Sequence, residues 1–262
     1  MNRHEITSGS KKLQGQIAFV TGASSGLGYR FAQTLADAGA QVVVAARRAE
    51  RLEELVDTIR KSGGAASFLE MDVSHADTIP TAIDAAESAF DGKVSILVNN
   101  AGCADAGKAI RQSVAGLDRM WEVNVRAPYL LSTEVARRLI DAKLPGRIVN
   151  ISSIGAYSYD GKIPCAMYVA TKSAVARMTE ALSLEWASSS INVNAIAPGF
   201  FRSEMSAPTL ESMGEDWLAS RQTRKRICEP YQLDSTLLYL VSPESECVTG
   251  TCIKVDDAQM PR

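Results

Sequence analysis

The 262-residue chain has only two histidines, and its five cysteines, at 103, 165, 228, 247 and 252, form no C-x-x-C pair. Tetrahedral zinc wants clustered Cys and His ligands, so no metal site is expected. An odd thiol count in a chain without a secretion signal points to reduced cysteines in a cytoplasmic setting, buried and inert for the most part. No apolar run approaches the roughly 20 residues of a membrane span. Charge of one sign is also missing: 28 Lys and Arg stand against 30 Asp and Glu, a net charge of -2. That balance lacks the basic excess of a nucleic-acid footprint. The opening "MNRHEITSGSKKLQG" has no apolar core of the signal-peptide kind, and residues 1–13 read as a flexible extension. No Pro/Gly/Ser linker and no internal repeat divides the remainder, so residues 14–262 are expected to form one domain.

What is present is an alternation of short apolar runs and longer helical stretches. The runs Ile17–Val20, Val42–Ala45, Ala66–Met71, Ile96–Val98, Arg147–Ile151, Asn192–Ile196 and Cys252–Val255 read as strands. Helices are expected over Leu27–Ala38, Ala49–Lys61, Asp77–Phe90, Leu117–Ala142, Met167–Ala187 and Pro230–Leu240. In "RLEELVDTIRKSG" the apolar residues Leu52, Leu55, Val56 and Ile59 share one helical face that ends at a glycine stop. The strands are continuously apolar rather than alternating, as strands covered on both faces are, which predicts a parallel sheet in an α/β fold with helices on either side. One stretch, residues 200–227, shows neither pattern. Ligands bind outside the carboxyl ends of such strands, so this segment is positioned to act as a lid over substrate. Its Met205, Met213 and Trp217 suggest an apolar cover, and the cluster Arg221, Arg224, Lys225 and Arg226 reads as a solvated helix face.

Three glycines, Gly22, Gly26 and Gly28, fall in "TGASSGLG" between the first strand and the first helix. Strand, glycine turn and helix bring backbone N–H groups and a helix N-terminus up to a pyrophosphate. The spacing G-x-x-x-G-x-G alone also suits a tight turn that needs positive φ. Together with "NNAG" at 99–102, "YVATK" at 168–172 and "PG" at 198–199, however, the turn resembles the short-chain dehydrogenase/reductase family, in its single-domain branch of about 250 residues. The resemblance runs from about Gln14 to Val255 with the motifs in family order. It implies a Rossmann-type doubly wound sheet of seven parallel strands and NAD(P)-dependent interconversion of carbonyl and alcohol.

The resemblance also implies the cofactor contacts. Gly22, Ser24, Ser25, Gly26, Leu27 and Gly28 would hold the pyrophosphate, Asp72 and Val73 the adenine, and Asn99 and Ala101 the end of the fourth strand. Pro198, Gly199 and Ser203 would lie near the nicotinamide, Ser203 standing where the family usually has threonine, and Tyr168 and Lys172 would reach its ribose. At the end of the second strand, "VVVAARRAE" places Ala45 and Ala46 where an acid would bond the ribose 2′-hydroxyl of NAD, and Arg47 and Arg48 follow. A guanidinium pairs with a 2′-phosphate that a carboxylate would repel, so NADP is the expected cofactor with Arg47 as the phosphate ligand, NAD being the alternative.

Tyr168 and Lys172 lie four apart on a predicted helix and share a face. A free tyrosine titrates near 10, and an ammonium about 5 Å away at an effective dielectric near 20 offers its phenolate roughly 3 kcal/mol. Tyr168 is therefore expected to have a lowered pKa and to act as general acid and base. Asn124 matches the family's helix asparagine. Pro128, four residues on, has no N–H, so the Asn124 carbonyl is freed to hold a relay water. The family's serine usually stands about 13 residues before the tyrosine, which here is Gly155. Aligning the strand exit instead selects Ser153, 15 residues before Tyr168, with Ser152 as the alternative. The lengthened loop carries Tyr157 and Tyr159.

The expected function is that of an NADP-dependent oxidoreductase interconverting a ketone and a secondary alcohol on a small-molecule substrate. The alternatives are an NAD-linked alcohol, polyol or hydroxysteroid dehydrogenase, and a non-catalytic dinucleotide-binding regulator. The resemblance further implies a homotetramer or homodimer built on the helices that contain Asn124 and Tyr168.

Overall fold

The computed structural model describes residues 12–105, 107–159, 161 and 163–259. Residues 1–11 of the expected extension lie outside the described residues. Its last two do not: the Leu13 side chain is buried, and its N–H donates to the Ala38 carbonyl at 3.0 Å, so the ordered chain begins earlier than expected.

Strands β1 (Ile17–Thr21), β2 (Gln41–Ala46), β3 (Ala65–Glu70), β4 (Val94–Asn99), β5 (Gly146–Ile151), β6 (Ile191–Pro198) and β7 (Cys252–Val255) form one sheet in the order β3-β2-β1-β4-β5-β6-β7. Every pairing is parallel. β1, β4, β5 and β6 are buried or nearly so at every position, which explains their unbroken apolar sequence. Successive side chains point to opposite faces. Ala18 and Val20 therefore enter one core with helices α1 (Gly26–Asp37), α2 (Ala49–Lys61) and α9 (Asp234–Val241). Ile17 and Phe19 enter the other with α3 (Ile79–Ser88), α5 (Ala127–Ala142) and α6 (Ala166–Trp186). The chain is a doubly wound, Rossmann-like α/β domain. The order reverses between β1 and β4, and that switch point opens a crevice at the carboxyl ends of the strands.

Two expected elements come out differently. The single long helix over Leu117–Ala142 is α4 (Val114–Trp121), a π-helical turn over Glu122–Arg126, and then α5. Pro128 sits in the first turn of α5, where the proline lacks the N–H an uninterrupted helix would use, and the wider turn absorbs the mismatch. Residues 200–227 hold two short helices, α7 (Ala207–Met213) and α8 (Glu215–Arg221), each a mere two turns and therefore weakly periodic in sequence. Among the described residues no helix is long and apolar enough to cross a membrane.

The cysteine expectation also needs correction. Of the five, Cys228 alone is buried; Cys103, Cys165 and Cys252 are half-buried and Cys247 is exposed.

Candidate active site

The glycine turn is shaped by what lies against it. Gly22 has φ +66°, and a Cβ there would fall 2.7 Å from the Ala101 Cα. A Cβ on Gly28 would fall 2.3 Å from Asn100 Nδ2 and 2.5 Å from the Gly22 carbonyl oxygen. Asn100 is the partner the turn is built around. Its Nδ2 donates to the carbonyls of Thr21 and Gly22 at 2.9 and 3.1 Å, while Thr21 Oγ1 accepts from the N–H groups of Asn100 and Ala101 at 3.1 Å each. The "NNAG" run thus braces the turn from the next strand.

Helix α1 begins directly on this turn. Ser25 at its N-cap makes no side-chain capping bond, and its first turn holds no acidic residue. Its leading N–H groups and positive dipole end are therefore left for an anion, and the turn fits a dinucleotide pyrophosphate. Ser24 is buried beside it, and Leu27 packs onto the core behind. At the neighbouring strand end, Ala46 is followed by two exposed arginines. The Arg47 guanidinium bonds to no described residue. Arg48, not Arg47, reaches back over the turn, its Nε and NH2 donating to Ser24 Oγ at 3.2 and 3.0 Å and NH2 to Ser25 Oγ at 3.1 Å.

Three expected cofactor contacts are spent elsewhere. The buried Asn99 faces α5: its Nδ2 donates to the Pro128 carbonyl, Ser132 Oγ and Asn150 Oδ1 at 3.3, 2.9 and 2.8 Å. In-register pairing sets Asn99 beside Asn150, whose own Nδ2 reaches Thr179 on α6 at 3.0 Å. The Asp72 carboxylate takes Arg119 NH2 at 2.8 Å and the N–H and hydroxyl of Ser74 at 3.0 and 2.8 Å. Although burial opposes ionisation, these bonds hold its carboxyl down at about 2. The Val73 side chain is buried in the core. Across the crevice, Gly199 closes β6 with an N–H bond to the Val255 carbonyl at 2.9 Å, just after Pro198. Ser203 lies over the glycine turn, its Cβ 3.2 Å from where a Gly26 Cβ would stand.

The second half of the site lies where β4 and β5 end. Ser153 follows the β5 exit, its Oγ accepting from the Gly155 N–H at 3.1 Å and standing close enough to the Tyr168 phenol to oppose the rise in its pKa. The alternative, Ser152, is buried on the opposite side and donates to the Lys172 carbonyl at 2.8 Å. Tyr168 and Lys172 share the first turns of α6, with Lys172 Nζ 5.7 Å from the phenol ring centroid. Lys172 is 4% exposed and donates from Nζ to the Ile151 carbonyl at 2.8 Å. Asn124, in the π turn, clasps the loop after β4: Oδ1 accepts from the Cys103 N–H and Nδ2 donates to the Cys103 carbonyl, both at 2.9 Å. Its Nδ2 also reaches Thr171 Oγ1 at 3.1 Å, and Thr171 Oγ1 donates to the Tyr168 carbonyl at 2.7 Å. A Cβ on Gly102 would be 3.5 Å from both Asn124 Oδ1 and Lys172 Nζ.

The electrostatics correct one expectation. Burial pushes the Tyr168 phenol up to about 12, opposed by Ser153. The Lys172 ammonium stands over the ring, spends a hydrogen bond on Ile151, and is itself brought down by burial to about 8. In this geometry Tyr168 is a protonated phenol at neutral pH, an acid before it is a base.

The segment 200–227 is fastened at several points. Arg202 pairs with Glu215 at 2.5 Å and Glu229 at 3.0 Å. Its basic cluster is not a plain solvated face, because Arg224 and Arg226 pair with Asp257 at 3.4 and 2.7 Å and Arg221 stacks on Trp217. Gln259 accepts from the Phe200 N–H at 2.6 Å, so the C-terminal strand exit ties down the base of this segment. Tyr157 lies under Lys254 of β7, 4.8 Å from its ring centroid, and Tyr159 accepts from the Cys165 N–H at 3.3 Å.

Asn100, Thr171 and Asn150 were missed in sequence. The one signal for the two asparagines was polar residues at the ends of otherwise apolar strands, as in "LVNN" and "RIVNIS", and Thr171, inside α6, had none.

A doubly wound fold with a phosphate-ready turn, facing a serine, a tyrosine and a buried lysine, defines a dinucleotide-dependent oxidoreductase acting on CH–OH groups. Residues 16–214 match the short chain dehydrogenase family profile, and the chain belongs to that family. It is 34% identical over 255 residues to the 2-dehydro-3-deoxy-D-gluconate 5-dehydrogenase of Dickeya dadantii (strain 3937), across 95% of this chain and 97% of the relative. Its fold superposes with a TM-score of 0.91 on a short-chain type dehydrogenase/reductase from Mycobacterium marinum, at 29% identity and 97% and 98% coverage. A gluconate 5-dehydrogenase from Burkholderia cenocepacia J2315 in complex with NADP and tartrate gives a TM-score of 0.88 at 30% identity, covering 95% of this chain and 97% of that one.

Proposed function

We propose that the protein is an NADP-dependent oxidoreductase that interconverts a ketone and a secondary alcohol, with Tyr168 as general acid and base. The observation that carries this reading is the Ser153–Tyr168 hydroxyl pair beside a buried Lys172, at the carboxyl end of β5 and across the crevice from the glycine turn. The bound nicotinamide supplies or accepts the hydride. The Ser153 and Tyr168 hydroxyls hydrogen-bond the substrate oxygen, Ser153 stabilising charge there as Tyr168 Oη gives up its proton during reduction. The Lys172 ammonium, cationic below about 8, stabilises the phenolate left behind. Asn124 fixes the loop that backs Lys172, and its carbonyl, freed by Pro128, anchors a water that returns the proton.

NADP rather than NAD is supported by Ala46 and the following Arg47 and Arg48, which leave no carboxylate on β2 to repel a 2′-phosphate. The NADP complex of a structural neighbour points the same way. Residues 200–227 serve as the substrate lid, with the exposed Met205 and Trp217 available to an apolar substrate portion. Exposed Tyr129 and Leu184 on α5 and α6 suit a homodimer or homotetramer, and the reduced thiols Cys103, Cys228, Cys247 and Cys252 suit a cytoplasmic setting.

The test is a panel of ketones and secondary alcohols assayed with both cofactors, on wild type and Tyr168→Phe. The variant is expected to lose on the order of 10³-fold in kcat while binding NADPH as wild type does. Activity equal to wild type across the panel would remove Tyr168 from the mechanism.

A further inference from the structure

Glu204, the lid residue after Ser203, does not face solvent alone. Its Oε1 and Oε2 take NH1 and NH2 of Arg48 at 2.9 and 2.7 Å, a bidentate pair joining positions 156 apart in sequence. Arg51 NH1 adds a contact at 3.4 Å, and the Ser25 hydroxyl hydrogen-bonds the same carboxylate. Two guanidinium groups and a hydroxyl converging on one set of anionic oxygens form the donor set that a phosphate monoester would take. This carboxylate stays ionised at any working pH, with its acid form held down at about 2 by Arg48.

Resting on the NADP reading above, we propose that Glu204 is a specificity-determining residue: its carboxylate stands in for a 2′-phosphate on Arg48 and competes with that phosphate for the same guanidinium. The acidic discriminator that β2 lacks is thus supplied from the lid. An adenosine without a 2′-phosphate leaves the Arg48–Glu204 pair intact, whereas a 2′-phosphorylated one must displace it. Glu204 therefore narrows the preference for NADP that Arg48 creates. Both side chains are close to half-exposed, so losing the pair has little effect on folding, and its consequence falls on ligand choice.

The test is calorimetric titration of the full-length chain with adenosine 2′,5′-bisphosphate and with 5′-AMP, for wild type, Glu204→Gln, Arg48→Ala and the double variant. Glu204→Gln is expected to tighten the bisphosphate about tenfold and to move 5′-AMP by less than about twofold. The gain is expected to shrink on the Arg48→Ala background, where the longer Arg51 contact is all that the two anions still share. An unchanged bisphosphate affinity, an equal shift for both nucleotides, or a gain undiminished by Arg48→Ala overturns the proposal. A wild type that favours the bisphosphate through Arg48 but not through Glu204 overturns it alone. A wild type with no such preference, indifferent to both Arg47→Ala and Arg48→Ala, overturns the NADP reading with it.

Discussion

The two walls of the crevice are built on opposite principles. Around β5, α6 and the π turn the groups that support the half-buried Ser153 and Tyr168 are buried and tied to backbone: Lys172 to the Ile151 carbonyl, Ser152 to the Lys172 carbonyl, Asn124 to both polar groups of Cys103. Along β2 and the lid the functional groups are exposed and tied to one another through ion pairs, Arg48 with Glu204 and Arg202 with Glu215 and Glu229. Proton transfer needs geometry held to fractions of an ångström, and buried hydrogen bonds to main chain provide it. Cofactor selection needs charge that can be exchanged for a ligand's charge, and half-solvated ion pairs are weak enough to be exchanged. Rigid chemistry thus faces an adaptable electrostatic wall.

The contrast can be broken most severely at Lys172. Its amine sits at about 8 against an ordinary 10.5, so the folded chain binds fewer protons than the unfolded one between those values, and stability rises with pH through that window. Below about 8 the buried ammonium costs the fold roughly 3 kcal/mol. Lys172→Met is expected to raise the thermal midpoint at pH 7 and to abolish its rise between pH 8 and 10, while reducing turnover severely. A midpoint that still climbs with pH in the variant would show that the strain lies elsewhere.

At the glycine turn the same rigidity is a matter of space. Gly28→Ala drives a methyl into Asn100 and the Gly22 carbonyl. Overpacking of this kind costs about 1–3 kcal/mol, so chemical denaturation should record a loss of that size together with weakened binding of any dinucleotide. Wild-type stability in the variant would mean that Asn100 moves aside freely.

The adaptable wall should yield least. Arg47 has an exposed guanidinium bonded to no described residue, so Arg47→Ala is expected to leave stability within about 0.5 kcal/mol of wild type. Its effect is confined to the ratio of NADPH to NADH dissociation constants, which should rise by about fivefold, or about 1 kcal/mol. A ratio that stays fixed would assign the 2′-phosphate to Arg48 alone.

Much of the cleft was legible in sequence because its motifs are local. A glycine turn after an apolar strand, a tyrosine and lysine one helical turn apart, and a proline four residues beyond an asparagine each fix a neighbourhood of a few residues. The strand alignment that selected Ser153 over Ser152 agrees with where their side chains lie, since alternation along a strand is also local. What was not legible was long-range. Asn99 was expected at the cofactor, yet in-register pairing with Asn150 turns it toward α5. Arg48 rather than Arg47 covers the turn because residues 24 and 204 meet it there.

Periodicity and strand apolarity were enough, within the chain itself, to specify a parallel sheet with helices on both faces, and the resemblance of its motifs to a known family implied the double winding and the residue types at its switch point. Tertiary structure alone decided that the Tyr168 phenol is raised rather than lowered, and that the Glu204 carboxylate lies on Arg48 at the start of α2. Burial depth and pairings between distant segments set both outcomes, and neither is written in the spacing of neighbouring residues.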